Sequence, residues 1–190
     1  MFKWLTKVYK KNCKYTCEHI EALAGACRKL ERANDSLILH MNLIKKVLDS
    51  GERIVCLTIH REQYVIVTVY EQYDYRGLNN IEHRAYTLNL LGSRIEKVQN
   101  LFSEIYYDTQ YNIPKTAKIV DFYGNVINKG YGSIVMTEYL NYMKKLKIQK
   151  ITGFLSLVDT HDETHRDLLH HFYKKFGFCI KENDNIELEL

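Results

Sequence analysis

The sequence predicts a mixed α/β fold, a sheet with a crossover helix, preceded by a helical extension. Three observations carry this. Residues 1–50 read as helix, and residues from Arg53 to Tyr70 are rich in β-branched and aromatic types. Beyond residue 117, strand and helix signals alternate as β-α-β-α-β, the pattern of parallel strands joined by a crossover helix. With 190 residues, 46% of them apolar and 26% charged, the chain suits one domain with a real core. We therefore expect a helical extension over 1–50 and a catalytic or binding domain over 51–190, with no internal repeat and no linker between two domains. One Pro and nine Gly exclude collagen-like and Pro-rich classes. No apolar run approaches the ~18–20 residues that span a bilayer. The opening MFKWLTKVYKKNCK lacks a secretory apolar segment, so a cytoplasmic protein without a membrane partner is expected.

The first helix rests on Cys13, Cys17, Ile20, Ala24 and Cys27, which recur at helical spacing. Asn34-Asp35-Ser36 reads as a break and a new cap, followed by a second helix through Leu37, Met41, Ile44 and Leu48. The strands Arg53–Ile59 and Tyr64–Tyr70 flank a polar tetrad and form a hairpin. A third strand is expected over His83–Leu90 after a polar loop, Asp74 to Asn80. Ile95, Val98, Phe102 and Ile105 are spaced for a helix over 94–107. There follow a strand Ala117–Tyr123, a turn to Gly130, a helix Tyr131–Leu146 and a strand Lys150–Leu157. A helix over Glu163–Lys175, stopped by Gly177, and two closing strands complete the chain.

Charge is uneven. Residues 1–50 hold 10 Lys and Arg against 5 Asp and Glu, whereas the remainder is nearly neutral. A basic helix of this kind is a solvated face or a docking surface, and nucleic acid is not the expected partner. The five Cys, an odd number with no CxxC pair, read as reduced and mostly buried thiols. His161 and His165 lie four apart in an Asp- and His-rich loop that leads into a helix, where Asp, Thr and Glu are ordinary capping residues, and no metal is expected.

The chemistry concentrates in Val126-Ile-Asn-Lys-Gly-Tyr-Gly-Ser133. A strand enters a turn containing Gly130 and Gly132 that opens directly into a helix, so free amides and a partial positive charge converge on one spot. This is a cradle for phosphate or pyrophosphate. About 40 residues later stands a helix ending Phe172-Tyr-Lys-Lys-Phe-Gly-Phe178, with the strand Ile151–Leu157 between.

In order, spacing and flanking structure, residues 117–180 resemble the GCN5-related N-acetyltransferase (GNAT) superfamily. The resemblance implies a GNAT-like α/β fold and acetyl-CoA as co-substrate. Backbone amides of Asn128, Lys129, Gly130, Tyr131, Gly132 and Ser133 would hold the pyrophosphate. The strand around Phe122 and Tyr123 would pair with the pantetheine arm and polarise the thioester carbonyl. Tyr173 matches the residue that protonates the departing thiolate, and Phe172 packs beside it. Asp121 and Asp159 are the candidates for accepting a proton from the attacking amine. Two positions depart from the family pattern. Ile127 stands at the Gln/Arg position, with Lys129 close enough to compensate, and Arg166 replaces a frequent Asn. The implied activity is transfer of an acetyl group to a primary amine, of a small molecule or a peptide, with a homodimer left open. A catalytically silent CoA-binding or interaction module with basic N-terminal helices is the alternative.

Overall fold

A computed structural model describes residues 2–75, 77–88, 95–108, 113–126, 129–155 and 163–190; for helix residues 2–9, 11–13 and 43 it describes the backbone alone. Helix α1 (Phe2–Asp49) is followed by strands β1 (Arg53–His60), β2 (Gln63–Asp74), β3 (Gly77–Leu88), β4 (Ile95–Tyr107) and β5 (Pro114–Gly124). Then come α2 (Tyr131–Lys145), β6 (Lys150–Phe154), α3 (Glu163–Lys175), β7 (Cys179–Ile180) and β8 (Asn185–Glu189). The strands form one eight-stranded sheet in the order β1-β2-β3-β4-β5-β6-β8-β7. Among the described strands only the β5–β6 neighbours are parallel, and α2 is the crossover between them.

The expected break at 34–36 is absent: α1 runs unbroken for 48 residues. Asn34, Asp35 and Ser36 cost a few tenths of a kcal/mol each inside a helix, and no Gly or Pro accompanies them there. The thiols are also more exposed than expected. Cys17 and Cys27 are exposed because most of α1 stands away from the sheet, while on the strands Cys179 is exposed and Cys56 is half-buried. Among the described residues, no helix is long and apolar enough to cross a membrane.

The helix expected over 94–107 is strand β4. Val98 has no partner in β3, where Ala85 faces Gln99 and Tyr86 faces Lys97, so a bulge shifts the alternation. Ile95 consequently joins the cluster on one face of the sheet while Val98 and Ile105 join the cluster on the other. Both faces of β4 are covered, and the bulge spaces its apolar residues like a helical stripe. The loop expected over 74–80 is also mostly strand, since β2 and β3 pair out to Asp74 and Gly77.

The β1–β2 hairpin turns on Arg61 and Glu62, both left-handed at φ 50° and 61°. That is the twist a two-residue hairpin requires, adopted here without glycine. The main core lies under α2, where Val135, Met136, Tyr139 and Met143 pack on Val65, Val67, Ile81, Ala85 and Leu101. Tyr173 and Phe178 bring the end of α3 into the same cluster. On the other face a smaller cluster around Ile66 and Leu88 is covered by Ile44, near the end of α1. Glu52 anchors that junction. Its buried carboxylate accepts from Ser50 and Tyr86 at 3.1 and 2.9 Å, and also from Thr68 and Arg84.

Candidate anion cradle at the start of helix α2

Strand β5 pairs with β6 only from Thr116 to Ile119, opposite Lys150 to Gly153. Past that point β5 continues to Gly124 paired with β4 alone, so the parallel strands part at their carboxyl ends. A register shift against β4 leaves Val120 without a residue opposite it, between the pairs Ile119–Ser103 and Asp121–Phe102. A peptide at that bulge is freed from the ladder. The mouth between diverging parallel strands is where open α/β sheets bind ligands.

Helix α2 begins beside this mouth. Gly130 is its N-cap, left-handed at φ 89°, and among the described residues no side chain caps the helix. The Ser133 and Ile134 amides turn back onto the Gly130 carbonyl at 3.1 and 3.3 Å. The amides of Tyr131 and Gly132 have no carbonyl within the helix to bond. No acidic residue in the first turn offsets the partial positive charge of the helix end. Lys175 of α3 reaches across, its Nζ donating to Ser133 Oγ at 3.2 Å. An ammonium and a hydroxyl therefore stand at the first turn of a helix whose two leading amides have no partner within it.

Gly130 is required twice over. A side chain there would be strained by the backbone and would place a Cβ 2.9 Å from His60 Nε2. His60 Nε2–H donates to the Lys129 carbonyl at 2.6 Å and the His60 ring meets Tyr131 edge-on at 5.5 Å, so the hairpin tip clamps the loop. Gly132 is less constrained, because its Cβ would meet Phe122 and Phe172 at 3.5 and 3.6 Å, an ordinary contact.

The other expected site residues divide by sheet face. Phe122 faces α2 and α3, its ring 5.5 Å from that of Phe172, so the two line one wall. Its neighbours alternate to the opposite face. Asp121 is exposed there, and Tyr123 accepts from Asn100 Nδ2 at 3.4 Å beneath the Lys97 ammonium. Tyr173 is 4% exposed, edge-on to Phe172 and Phe178. The Tyr131 side chain turns into the hairpin, donating to Gln63 Oε1 at 3.0 Å, so only its backbone meets the cradle. Asn128, Asp159, Ile127 and His161 lie outside the described residues.

Arg166 is not aimed at a phosphate. It donates to Asp184 Oδ1 at 3.0 Å, and His170 meets the same oxygen at 3.0 Å, tying α3 to the β7–β8 turn. Burial alone would raise the Asp184 carboxyl, but the hydrogen bonds from Arg166 and His170 hold it below the usual range. Among the described residues, no three metal-ligating side chains gather. A cleft of about 320 Å³ opens on the hairpin side of the loop, with Arg61, Lys129 and Glu96 among its walls.

Two residues of the cradle escaped sequence reasoning. Lys175 was legible, lying one turn after Phe172 within the Phe-Tyr-Lys-Lys segment. His60 was not, since 69 residues separate it from Lys129.

No protein-family model and no curated protein matches the sequence. Among solved structures the chain is similar to an acetyltransferase assigned to the GNAT family from Desulfovibrio desulfuricans. The match has 11% identity and a TM-score of 0.42, covering 58% of this chain and 69% of that one. It is also similar to the KacTA–DNA complex, at 12% identity and a TM-score of 0.40 over 58% of this chain and 68% of that one.

Proposed function

We propose that the chain is an acyl-CoA-dependent N-acyltransferase, most simply an acetyltransferase acting on a primary amine. The observation that carries this reading is the uncapped N-terminus of α2, opened by Gly130 at the mouth between the diverging β5 and β6 strands. The residues present fit the pyrophosphate of coenzyme A. Gly130 lets the loop close on His60 where a Cβ would collide, two helix-end amides have no acceptor within the helix, and Lys175 supplies a cation beside Ser133. Lys129, exposed on the adjoining cleft, adds a second positive charge in place of the family's Gln or Arg.

When bound, acetyl-CoA supplies an activated acyl thioester. In this reading the α2 amides and Lys175 hold the diphosphate, and Phe122 and Phe172 form the apolar wall along which the arm lies. The freed peptide at the β5 bulge is the donor that polarises the carbonyl, replacing water by a fixed dipole. Tyr173 Oη is the candidate proton donor to the leaving sulfur. The proton of the amine goes to a carboxylate or an ordered water, because an ammonium near pKa ~10.4 cannot attack.

A specific observation favours the alternative of a silent CoA-binding module. Asp121 lies on the opposite sheet face from Phe122, and Tyr173 is buried. Thermal unfolding with acetyl-CoA, coenzyme A and adenosine diphosphate, followed by thiol release with a panel of amines, separates the readings. A ligand at about 100 times its Kd stabilises the fold by ~2.7 kcal/mol. Stabilisation with thiol release supports the enzyme, stabilisation without it supports the module, and no stabilisation at millimolar acetyl-CoA refutes both.

A further inference from the structure

Helix α1 carries an unpartnered apolar seam with a seven-residue period. In coiled-coil notation Ile20, Cys27, Asn34 and Met41 occupy a positions, and Leu23, Leu30, Leu37 and Ile44 occupy d positions. Ile44 is the exception in its surroundings, because it packs on the sheet with Ile66 and Leu88. Of the six apolar a and d residues before it, Ile20, Leu23, Leu30, Leu37 and Met41 are 60% to 70% exposed, and Cys27 is exposed as well. A single exposed helix of this length gains nothing from such a seam, and exposing it to water costs stability.

We infer that this seam pairs two copies of the chain in a parallel, in-register coiled coil over residues 20–41. Three features select a second copy. Asn34 is the one polar residue among these a and d positions. In register it meets its own counterpart and each amide is satisfied; set antiparallel, or against an unrelated helix, it would face an apolar layer. Parallel pairing also sets g positions against e positions one heptad on: His19 with Ala24, Ala26 with Glu31, and Ala33 with Ile38. None of these is a like-charge pair, while Lys14, Glu18, Arg28 and Arg32 lie on the outer face.

The third feature is area. Five side chains with on the order of 120 Å² accessible each offer about 600 Å² per copy, and Ala24, Cys27 and Ile38 extend this toward the ~800 Å² of a stable interface. The coil is about 33 Å long. Its exit is fixed, since His40 meets the Tyr64 ring at 5.8 Å and Val47 is 6% exposed, so the sheet grips the helix where the seam ends.

The test is sedimentation equilibrium of the full chain, reduced, from about 1 to 100 µM. The expected mass is twice the 22.5 kDa of one chain, falling to one chain in Leu30→Glu/Leu37→Glu with the unfolding of the sheet domain preserved. Asn34→Val should produce a mixture of dimers and larger species. In a variant keeping Cys27 as its one cysteine, oxidation should join two chains through their facing a positions. A single-chain mass at 100 µM, a dimer that survives the double Glu change, or a dimer that Cys27 cannot crosslink overturns the inference.

Discussion

Acidification from pH 7 to pH 5 should destabilise this fold through one residue, His83. It lies fully buried in β3 beneath α2, with the rings of Tyr139 and Tyr142 edge-on at 5.5 and 5.4 Å. Neither ring nitrogen has a hydrogen-bond partner among the described residues. Burial first, and then the Arg53 guanidinium, push its pKa down from 6.5 to about 3. Arg53 is itself held close by, donating to the Tyr142 hydroxyl and to Glu71 at 2.9 and 3.1 Å. The folded state therefore keeps a neutral imidazole while the unfolded chain takes up a proton below pH 6.5. Stability is present above that pH and drains away as pH falls toward 3. At pH 5 the interval is about 1.5 pH units, which at ~1.36 kcal/mol per unit amounts to about 2 kcal/mol. The assay is urea unfolding of the wild type and His83→Leu at pH 7, 6 and 5. At pH 7 the variant should be little changed, since no hydrogen bond is lost. By pH 5 the variant should have gained about 2 kcal/mol relative to the wild type. Parallel losses in the two proteins would refute the reasoning and show that His83 titrates as it does in water.

Three further outcomes follow from the cradle. Gly130→Ala meets both a left-handed backbone and the His60 ring, so it should cost about 1–2 kcal/mol and weaken acetyl-CoA binding; Gly132→Ala should melt within about 0.5 kcal/mol of the wild type. Lys175→Ala removes the cation and the bond to Ser133, and calorimetry should show about tenfold weaker binding of acetyl-CoA, the worth of a charge-assisted hydrogen bond. Tyr173→Phe should bind acetyl-CoA unchanged and release thiol ~10²–10⁴-fold more slowly; an unchanged rate would leave Tyr173 a core residue only.

The C-terminal half of the sheet was legible because its signals are local. A Gly-rich turn between strand and helix, a crossover length and a helix stop at Gly177 each act within a few residues, and α2 and α3 begin where those signals place them. Strand β4 was illegible because it is covered on both faces and bulged, so period-two alternation never appears in the sequence. The continuity of α1 was hidden for the opposite reason. Asn34 and its neighbours carry capping chemistry, and only an exposed seam continuing on either side shows Asn34 to be one polar layer in a longer apolar period. The cradle's amides could be read from Gly130 and Gly132, but its clamp could not, since His60 arrives from a hairpin tip.

Helix α2 departs from a local rule of helix termini. A 15-residue helix gains about 1 kcal/mol from a side-chain cap and a further few tenths from an acid in its first turn, yet among the described residues α2 has neither. Such a departure is expected where free amides are wanted for a ligand. Ser133→Glu tests whether that is the reason. A carboxylate in the first turn would face the helix end and Lys175, and should raise stability by about 0.3–1 kcal/mol at low salt. The same carboxylate would occupy the anion position, so stabilisation by acetyl-CoA should disappear. Opposite signs in the two measurements identify a binding site kept open at the expense of helix stability. A variant that is more stable and still binds would show that the helix end is merely uncapped, and the cradle would have to be sought elsewhere.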